Sequence, residues 1–349
     1  MKRILIMAGG TGGHIFPALA VAQNLAKKGH TIAWLGRPQS MEANIVNQHN
    51  IPLYTIQSKG LKGKGLLTKI NALFTFCLSL IQSLKILNTF KPDVVLGMGG
   101  YVSGAGGISS WLLRIPLVIH EQNAIAGTTN TLLAPLATQI CQAFKETFNK
   151  KYSPITTGNP LRNQIQPSTK EISNPIKLLI MGGSLGASIF NEQIPKALQA
   201  IPESQRPDVW HQTGAKHQQH TLNNYSNVNV TARIDAFIEN MGQAYEWADL
   251  IICRAGAMSV AELANSAKAA ILVPYPYAIN DHQTANARHL SEQNAAILVP
   301  QQQLTSDYLT ELMVKFSQNP QKLTEMGLQA HKLAQPDATN VISDICLNV

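Results

Sequence analysis

The sequence predicts an α/β protein made of two doubly wound, Rossmann-like domains, and three observations predict it. Its 349 residues exceed the size at which a single hydrophobic core usually keeps growing. Short β-rich runs alternate with helical patterns, which is typical of a parallel sheet with helices on both faces. The pattern restarts after a polar, proline-containing stretch at Ser168–Pro175, which we interpret as a linker. Two domains with a ligand cleft between them are therefore expected.

The first half opens with an almost continuously apolar run, Arg3–Ala8, which predicts a buried strand. Pro17 is predicted to open the following helix and Gly29 to end it. Further strand candidates follow at Thr31–Gly36, Val94–Leu96, Pro116–His120 and Gln139–Phe144.

The second half repeats this opening with Lys177–Gly182, followed by glycines and a helix predicted from about Ala187. Further strand candidates follow at Asp249–Cys253, Ala269–Tyr275 and Ala295–Pro300. A last helix follows Pro336, and the sequence leaves open whether it returns to the first domain.

The net charge of +8 and the pI near 9.3 indicate an anionic partner, such as a phosphorylated substrate, a lipid headgroup or a nucleic acid. No nucleic-acid reader motif is present, so nucleic acid is not expected. The cysteines Cys77, Cys141, Cys253 and Cys346 lack metal-ligand spacing and are expected to be buried in a reducing compartment. Neither a signal peptide nor a run of about 20 apolar residues is apparent, which predicts a cytoplasmic protein.

Glycine-rich loops follow the opening strand of each half: GGTGGH at Gly9–His14 and GGSLGA at Gly182–Ala187. Glycines let the backbone approach a ligand, and the next helix directs its amides at an anion. The first loop is not a dinucleotide fingerprint, because Ile15 stands at the third glycine position. A plain tight turn is the alternative for each loop. We interpret the two loops as two walls of one site.

Two further junctions carry glycines. Gly97–Gly107 is either an acceptor-side loop or a place of close helix–strand packing. In Arg254–Glu262, amides near Ala257–Ser259 could hold a pyrophosphate, while Glu262 could bind ribose hydroxyls or be a surface charge at a helix start. No two aspartates are separated by one residue, so no metal and no cofactor are expected, and helix N-termini would stabilise the leaving group.

Seven motifs stand together along the chain: GGTGGH at Gly9–His14, GGYVSG at Gly99–Gly104, HEQN at His120–Asn123, GNPLR at Gly158–Arg162, GGSLGA at Gly182–Ala187, CRAGAMSVAE at Cys253–Glu262 and DHQTANA at Asp281–Ala287. In this order and spacing they resemble the MurG family, over essentially the whole chain. Ala105 departs from the proline that many members have there.

The resemblance implies the GT-B fold, which has two Rossmann-like domains and an interdomain cleft. Residues 1–162 would form the acceptor and membrane-side domain, with the helix 336–349 packing back onto it. Residues 163–335 would form the UDP-N-acetylglucosamine (UDP-GlcNAc) domain.

The implied reaction moves GlcNAc, with inversion, from UDP-GlcNAc to the 4-hydroxyl of N-acetylmuramic acid in undecaprenyl-pyrophosphoryl-MurNAc-pentapeptide (lipid I). Its products are lipid II and UDP, for peptidoglycan synthesis. The resemblance also implies a peripheral position on the cytoplasmic face of the cell membrane, and a cell-wall synthesis complex as a possible partner.

The donor-binding residues implied by the resemblance are Thr11, Gly12, Gly13, Asn123, Arg162, Ser184, Ile238, Ala257, Met258, Ser259, Val260, Ala261, Glu262 and Gln283. Ile238 would face uracil through its backbone, Arg162 and Ser184 the phosphates, and Gln283 with Asn123 the sugar. Glu262 would bind the ribose.

His14 is the best candidate for the general base, because an imidazole exchanges protons near neutral pH. The alternative is a histidine that only hydrogen-bonds a loop carbonyl or the acceptor. Glu121 is a second candidate, although an acceptor that organises its loop is the better interpretation.

The segment Leu61–Lys91 combines basic and apolar residues. Lys62, Lys64 and Lys69 stand beside Leu66, Leu67, Ile70, Leu73, Phe74, Phe76 and Leu78. This pattern suits an anionic membrane surface, or else a helix buried in its domain; the resemblance favours the membrane. Three other functions remain open: a transferase with another acceptor such as diacylglycerol, a UDP-sugar epimerase, and a non-catalytic sensor or scaffold.

Overall fold

The computed structural model describes residues 1–58, 66–161, 165–167 and 170–349, except for the side chains of residues 66–70, 72 and 279. The chain forms two compact units. One comprises Met1–Arg162 with Gln335–Val349, and the other comprises Asn163–Ala334. Every strand pair described in either unit is parallel, as the alternation of strands and helices predicts.

The first unit is built on a seven-stranded sheet in the order β3-β2-β1-β4-β5-β6-β7. Its strands are β1 (Arg3–Met7), β2 (Thr31–Gly36), β3 (Leu53–Thr55), β4 (Val94–Gly97), β5 (Leu117–Glu121), β6 (Gln139–Gln142) and β7 (Ile155–Thr156). The chain runs outward from β1 to β3 and then returns to the other side of β1 at β4. This reversal leaves a crevice at the carboxyl ends of β1 and β4, where doubly wound sheets bind ligands.

Helices cover both faces of this sheet: α1 (Gly12–Lys27), α2 (Met41–Gln48), α3 (Leu66–Phe90), α4 (Tyr101–Leu112) and α5 (Thr128–Leu133). Side chains of β1 alternate between two cores. Ile4 and Ile6 pack in a cluster that includes residues of α1, whereas Leu5 and Met7 pack in a cluster that includes residues of α3 and α4. A strand buried on both faces is continuously apolar, which is the pattern that identified β1.

The second unit has a six-stranded sheet in the order β10-β9-β8-β11-β12-β13. Its strands are β8 (Lys177–Met181), β9 (Asp208–Gln212), β10 (Arg233–Asp235), β11 (Leu250–Cys253), β12 (Ala269–Leu272) and β13 (Ile297–Leu298). Its helices are α6 (Ser188–Ala200), α7 (Gln218–Asn227), α8 (Met241–Trp247), α9 (Ala257–Asn265), α10 (His282–Ser291), α11 (Ser306–Gln318) and α12 (Gln321–His331). The reversal here lies between β8 and β11.

The last helix, α13 (Ala338–Asn348), belongs to the first unit and packs against α1. Asn24 donates from Nδ2 to Ser343 Oγ at 2.9 Å, and Lys28 Nζ lies 2.7 Å from Asp344 Oδ1. The sequence left open whether the last helix returns to the first domain, and the structure shows that it does.

Helix α1 begins five residues earlier than predicted. Thr11 has extended backbone angles (φ −126°, ψ 158°), and the helix starts at Gly12, so that Pro17 lies inside it. The prediction that Pro17 opens the helix was therefore wrong. The change matters for function because it places His14 in the first helical turn.

Helix α3 corrects the expectation that no segment approaches the length of a membrane span. Its residues Leu73–Phe90 have a mean hydropathy of 1.4, and by length and composition alone this segment could cross a membrane. Only 22% of these residues are buried. Core helices of soluble proteins can be equally long and apolar, but most of their residues are buried. Cys77 lies on this helix and is exposed, so the expectation that all four cysteines are buried was wrong.

Candidate active site

In the first unit, predicted site residues follow three neighbouring strands of the sheet. The segment Gly9–His14 follows β1 and includes the first turn of α1, the segment Met98–Gly100 follows β4, and Gln122–Asn123 follow β5. Because parallel strands end at one edge of a sheet, these segments meet at the crevice between β1 and β4. The structure thus brings together Thr11, Gly12, Gly13, His14 and Asn123.

His14 lies partly exposed in the first turn of α1, with its ring against the backbone of Gly99. A Cβ atom on Gly99 would stand 3.0 Å from both Cε1 and Nδ1 of His14. Gly99 also has a φ of +97°, which L-amino acids rarely adopt. The glycine therefore makes room for the His14 ring.

The rest of the Gly97–Gly107 cluster includes a helix–strand contact. Gly106 of α4 lies so close to Met7 of β1 that a Cβ atom would overlap the Met7 sulfur. The packing alternative considered for this cluster thus applies at Gly106, whereas Gly99 contacts the candidate base.

A chain of hydrogen bonds runs from His14 into the core of the unit. His14 Nδ1 lies 2.8 Å from Gln122 Oε1, and Gln122 Nε2 lies 3.0 Å from His120 Nδ1. His120 Nε2 lies 2.9 Å from the carbonyl oxygen of Gly158. Both Gln122 and His120 are buried. Burial lowers the pKa of His120 to about 4, against the opposing effects of the Gly158 carbonyl and Glu121, so this imidazole is neutral at pH 7.

Glu121 is buried, and its carboxylate organises the loop after β5. Oε1 accepts hydrogen bonds from the backbone and side-chain amides of Asn123 at 3.0 and 3.1 Å. Oε2 accepts from the backbone of Gly127 at 3.0 Å and from Asn130 Nδ2 at 2.9 Å. A carboxylate with four such donors serves as a structural acceptor, which favours that interpretation over a role as base.

Glu42, a residue that the sequence analysis did not predict, forms a hydrogen bond with the first glycine loop. Its buried carboxylate accepts from the backbone of Gly10 at 3.4 Å and from the backbone of Arg37 at 3.3 Å. The first helical turn follows at Gly12 and Gly13. Its amides have no partner within the helix and are positioned to bind an anion.

In the second unit, the predicted donor residues follow β8, β10, β11 and β12. Ser184 is exposed in the loop between β8 and α6, and Ile238 is buried in the loop after β10. Gln283 lies in the first turn of α10, where its Oε1 accepts from the backbone of Tyr275 at 2.8 Å. Arg162 lies outside the described residues.

Helix α9 contributes the longest continuous part of the predicted set, Ala257–Glu262. Gly256 is the N-cap of this helix and provides no side-chain cap. Glu262 is only 8% exposed, and its Oε2 accepts from the hydroxyl of Tyr245 at 3.1 Å. The alternative that Glu262 is a surface charge was therefore wrong, and Tyr245 is a partner that the sequence did not reveal.

Arg254, which precedes α9, connects three segments at this edge of the sheet. Its Nη1 donates to the carbonyls of Val273 and Pro274 at 3.2 and 3.3 Å, and its Nη2 donates to Gln301 Oε1 at 2.7 Å. Its guanidinium also lies 5.5 Å from the ring centre of Tyr275. These contacts fix the loop that leads to Gln283.

No group of three or more His, Cys, Asp or Glu side chains within the described ranges could hold a metal ion. Main-chain amides at the starts of α1 and α9 are donors of the kind that bind anions without a metal.

Two family models match most of the chain. The glycosyltransferase family 28 N-terminal domain matches residues 4–142, and the family 28 C-terminal domain matches residues 177–342. Among solved structures, MurG of Acinetobacter baumannii has a TM-score of 0.85 and 39% identity, with full coverage of both chains. A UDP-GlcNAc 2-epimerase from Neisseria meningitidis bound to UDP-GlcNAc has a TM-score of 0.71 at 13% identity and full coverage, which shows a shared fold alone.

Two full-length relatives carry the same name, UDP-N-acetylglucosamine–N-acetylmuramyl-(pentapeptide) pyrophosphoryl-undecaprenol N-acetylglucosamine transferase. The Azotobacter vinelandii enzyme is 47% identical over 349 residues, covering 99% of this chain and 98% of its own. The enzyme of Pseudomonas putida strain F1 is 46% identical over 351 residues, covering 100% of this chain and 98% of its own. The chain therefore belongs to glycosyltransferase family 28 and, within it, to the MurG N-acetylglucosaminyltransferases.

Proposed function

We propose that this chain transfers GlcNAc from UDP-GlcNAc to the 4-hydroxyl of MurNAc in lipid I, giving lipid II and UDP. The observation that carries the proposal is the position of His14. A partly exposed imidazole lies at the crevice between β1 and β4, held there by Gly99 and by a buried hydrogen-bond chain. The names and full-length identity of the relatives support this choice of donor and acceptor.

In the proposed reaction, His14 is the general base. The 4-hydroxyl oxygen of MurNAc attacks C1 of GlcNAc while its proton moves to His14. The bond between C1 and the UDP oxygen breaks, and its electron pair leaves with UDP. A single displacement of this kind inverts the anomeric carbon. A positioned base contributes roughly 10²–10⁴-fold to the rate of such a step.

The donor nucleotide is assigned to the second unit. The amides at the start of α9 would bind the pyrophosphate and stabilise the charge that develops on UDP. Glu262, fixed by Tyr245, would accept hydrogen bonds from the ribose. Ser184 is exposed on the neighbouring loop and available to phosphate, and the backbone near Ile238 would face the uracil.

The assay is UDP release with UDP-GlcNAc and a lipid I analogue, with and without EDTA. We expect release only when both substrates are present, and the same rate in EDTA. His14→Ala should lower kcat at least 100-fold, by loss of the base, with a KM for UDP-GlcNAc within about twofold. His49→Ala, which removes an exposed histidine of the same unit, is the matched control. Normal turnover in His14→Ala would exclude the base role, and turnover of UDP-GlcNAc alone would favour an epimerase.

We also propose that the first unit contacts the membrane peripherally through α3 and the end of α4, on the cytoplasmic face where the nucleotide donor is available. Large apolar side chains are exposed on α3, with Leu73 at 65%, Phe74 at 69% and Ile81 at 64%. Trp111 and Leu112 of α4 are about half exposed, and α3 packs against α4. Lys62 and Lys64 lie outside the described residues, so the basic part of this proposal rests on sequence.

Vesicle co-sedimentation tests the membrane contact. Burying one large apolar side chain stabilises by about 1.5–3 kcal/mol, so the pair Phe74→Ser and Ile81→Ser should weaken binding to anionic vesicles at least tenfold. Leu328→Ser on α12 changes a similarly exposed leucine (56%) of the other unit and should have no effect. Equal losses of vesicle binding in the α3 variant and in Leu328→Ser, or no loss in either, would exclude α3 as the membrane contact.

A further inference from the structure

The side chain of Gln122 can serve as a directional connector, because its amide has one acceptor end and one donor end. The acceptor Oε1 faces His14 Nδ1 at 2.8 Å, and the donor Nε2 faces His120 Nδ1 at 3.0 Å. Gln122 Nε2 also lies 3.4 Å from the carbonyl oxygen of His120. Only 1% of the Gln122 surface is exposed. In such a site each polar atom needs a complementary partner.

The direction of the chain follows from its buried end. The carbonyl oxygen of Gly158 can only accept, so His120 Nε2 must carry a proton. His120 is fully buried and neutral at pH 7, so its Nδ1 has no proton and accepts. The amide of Gln122 therefore points its NH₂ group at His120 and its oxygen at His14. A reversed amide would place an oxygen against the lone pair of His120 Nδ1.

The same logic determines the state of His14. Gln122 Oε1 can only accept, so His14 Nδ1 is the donor and carries the proton. In the neutral imidazole, the lone pair then lies on Nε2. Nε2 is the ring nitrogen that is not bonded to Gln122, and only a nitrogen with a lone pair can take up a proton.

We propose that Gln122 is a positioning residue that fixes His14 as its Nδ1-protonated tautomer, so that Nε2 is the basic atom. His120 acts through Gln122, because its own bond to Gly158 sets the orientation of the amide. The proposal deepens the proposed function, since it rests on His14 being the base. In the transfer, the proton of the MurNAc 4-hydroxyl would move to His14 Nε2.

The tautomer itself is directly measurable. Two-bond ¹H–¹⁵N correlation spectra of protein labelled with ¹⁵N-histidine distinguish protonated from unprotonated ring nitrogens, and the His14→Gln spectrum assigns the His14 signals. We expect His14 to be predominantly Nδ1-protonated in the wild type, and to lose that preference in Gln122→Met. Gln122→Glu should keep it, because the carboxyl group offers an acceptor to His14 in either ionisation state. A predominantly Nε2-protonated His14 in the wild type would overturn the inference, whether or not any variant folds.

Kinetics supply the second measurement. We expect Gln122→Met to lower kcat by about 10–100-fold, a part of the roughly 10²–10⁴-fold that a base contributes, while the KM for UDP-GlcNAc changes less than about twofold. Gln142→Met is the matched control, since Gln142 is also a buried glutamine bonded through both ends of its amide, to Phe148 and Thr156. The control should lose comparable stability but keep its kcat.

The possible failures are distinguishable. Normal kcat in Gln122→Met together with a large loss in His14→Ala would overturn the positioning role and leave the base role intact. Normal kcat in both Gln122→Met and His14→Ala would overturn the role of His14 as the base. The tautomer of His14 would then have no role in catalysis.

Discussion

Replacing Gly99 by alanine should disturb the candidate base, because the three atoms nearest to the added Cβ all belong to His14. A Cβ atom at this position would lie 3.0 Å from Cε1 and Nδ1 of His14, which is closer than an ordinary van der Waals contact. The ring would have to move by a few tenths of an ångström. Such a movement acts directly on the 2.8 Å hydrogen bond between His14 and Gln122.

Two costs arise in this variant, and they affect different measurements. The backbone of Gly99 has a φ of +97°, and an L-residue in a left-handed conformation costs about 1–2 kcal/mol of folding free energy. The contact with His14 adds a catalytic cost. A misplacement of about 1 Å in an active site can cost roughly 100-fold, so a smaller shift that weakens the Gln122 bond should lower kcat about tenfold or more.

Gly29→Ala separates the two costs. Gly29 also has a positive φ, +85°, but no atom lies within 4 Å of the added Cβ. Urea unfolding should show a loss of about 1–2 kcal/mol for both variants, while UDP release should show the drop in kcat for Gly99→Ala alone. Equal turnover in the two folded variants would refute the conclusion that Gly99 positions His14.

Three further outcomes are expected from the site and the core. Tyr245→Phe removes the hydroxyl that donates to Glu262, so the KM for UDP-GlcNAc should rise about 3–10-fold with kcat unchanged; an unchanged KM would exclude a role of this pair in ribose binding. Glu121→Gln places an NH₂ group among four N–H donors and should destabilise the protein by about 1–3 kcal/mol in urea unfolding, whereas a neutral result would contradict the loop-organising role. Burial lowers the pKa of His120 to about 4 and that of His211 to about 3, from 6.5, so the unfolded chain binds the extra protons as the pH falls below 6.5. The free energy of unfolding should keep its full value above pH 6.5 and decline towards pH 4, with about 2 kcal/mol lost per histidine at pH 5. An equal free energy of unfolding at pH 8 and pH 5 would contradict this.

Much of the fold was predictable because its central strands are buried on both faces. Continuous apolar runs identified β1, β8 and β11, and their crossover helices required parallel pairing. The strands β3, β7, β9 and β10 escaped prediction. The edge strand β10 is three residues long and contains Arg233 and Asp235, so its composition resembles a loop.

The helix start at Gly12 escaped prediction because two glycines and a threonine are poor helix signals. The strand-to-helix junction nevertheless starts a helix directly after Thr11, and Pro17 is tolerated within it. The interpretation of His14 as a loop residue changed accordingly. Its side chain is fixed by the helix and by Gly99, rather than by the loop alone.

The sequence contains a signal for the role of Gln122. His120 lies in β5 and Gln122 directly follows the strand, and alternate residues along an extended chain lie on one face. A histidine and a glutamine on that face, next to the loop of His14, indicate a hydrogen-bond chain. The orientation of the chain could not be read from sequence, since it depends on the carbonyl of Gly158, 38 residues away.

The junction after β1 and the junction after β11 each pass from a strand through glycine into a helix, but they present different chemistry. In the first unit, the turn after the loop carries a titratable side chain, His14, whose partners run into the core. In the second unit, the first turn of α9 is Ala257–Ser259, which contains no titratable side chain, and in the proposed function its main-chain amides bind the ligand. Proton transfer needs the first arrangement, and binding a pyrophosphate needs the second. In the proposed function, the glycines therefore mark the ligand site of each unit, and the residues that follow them determine the role of each junction.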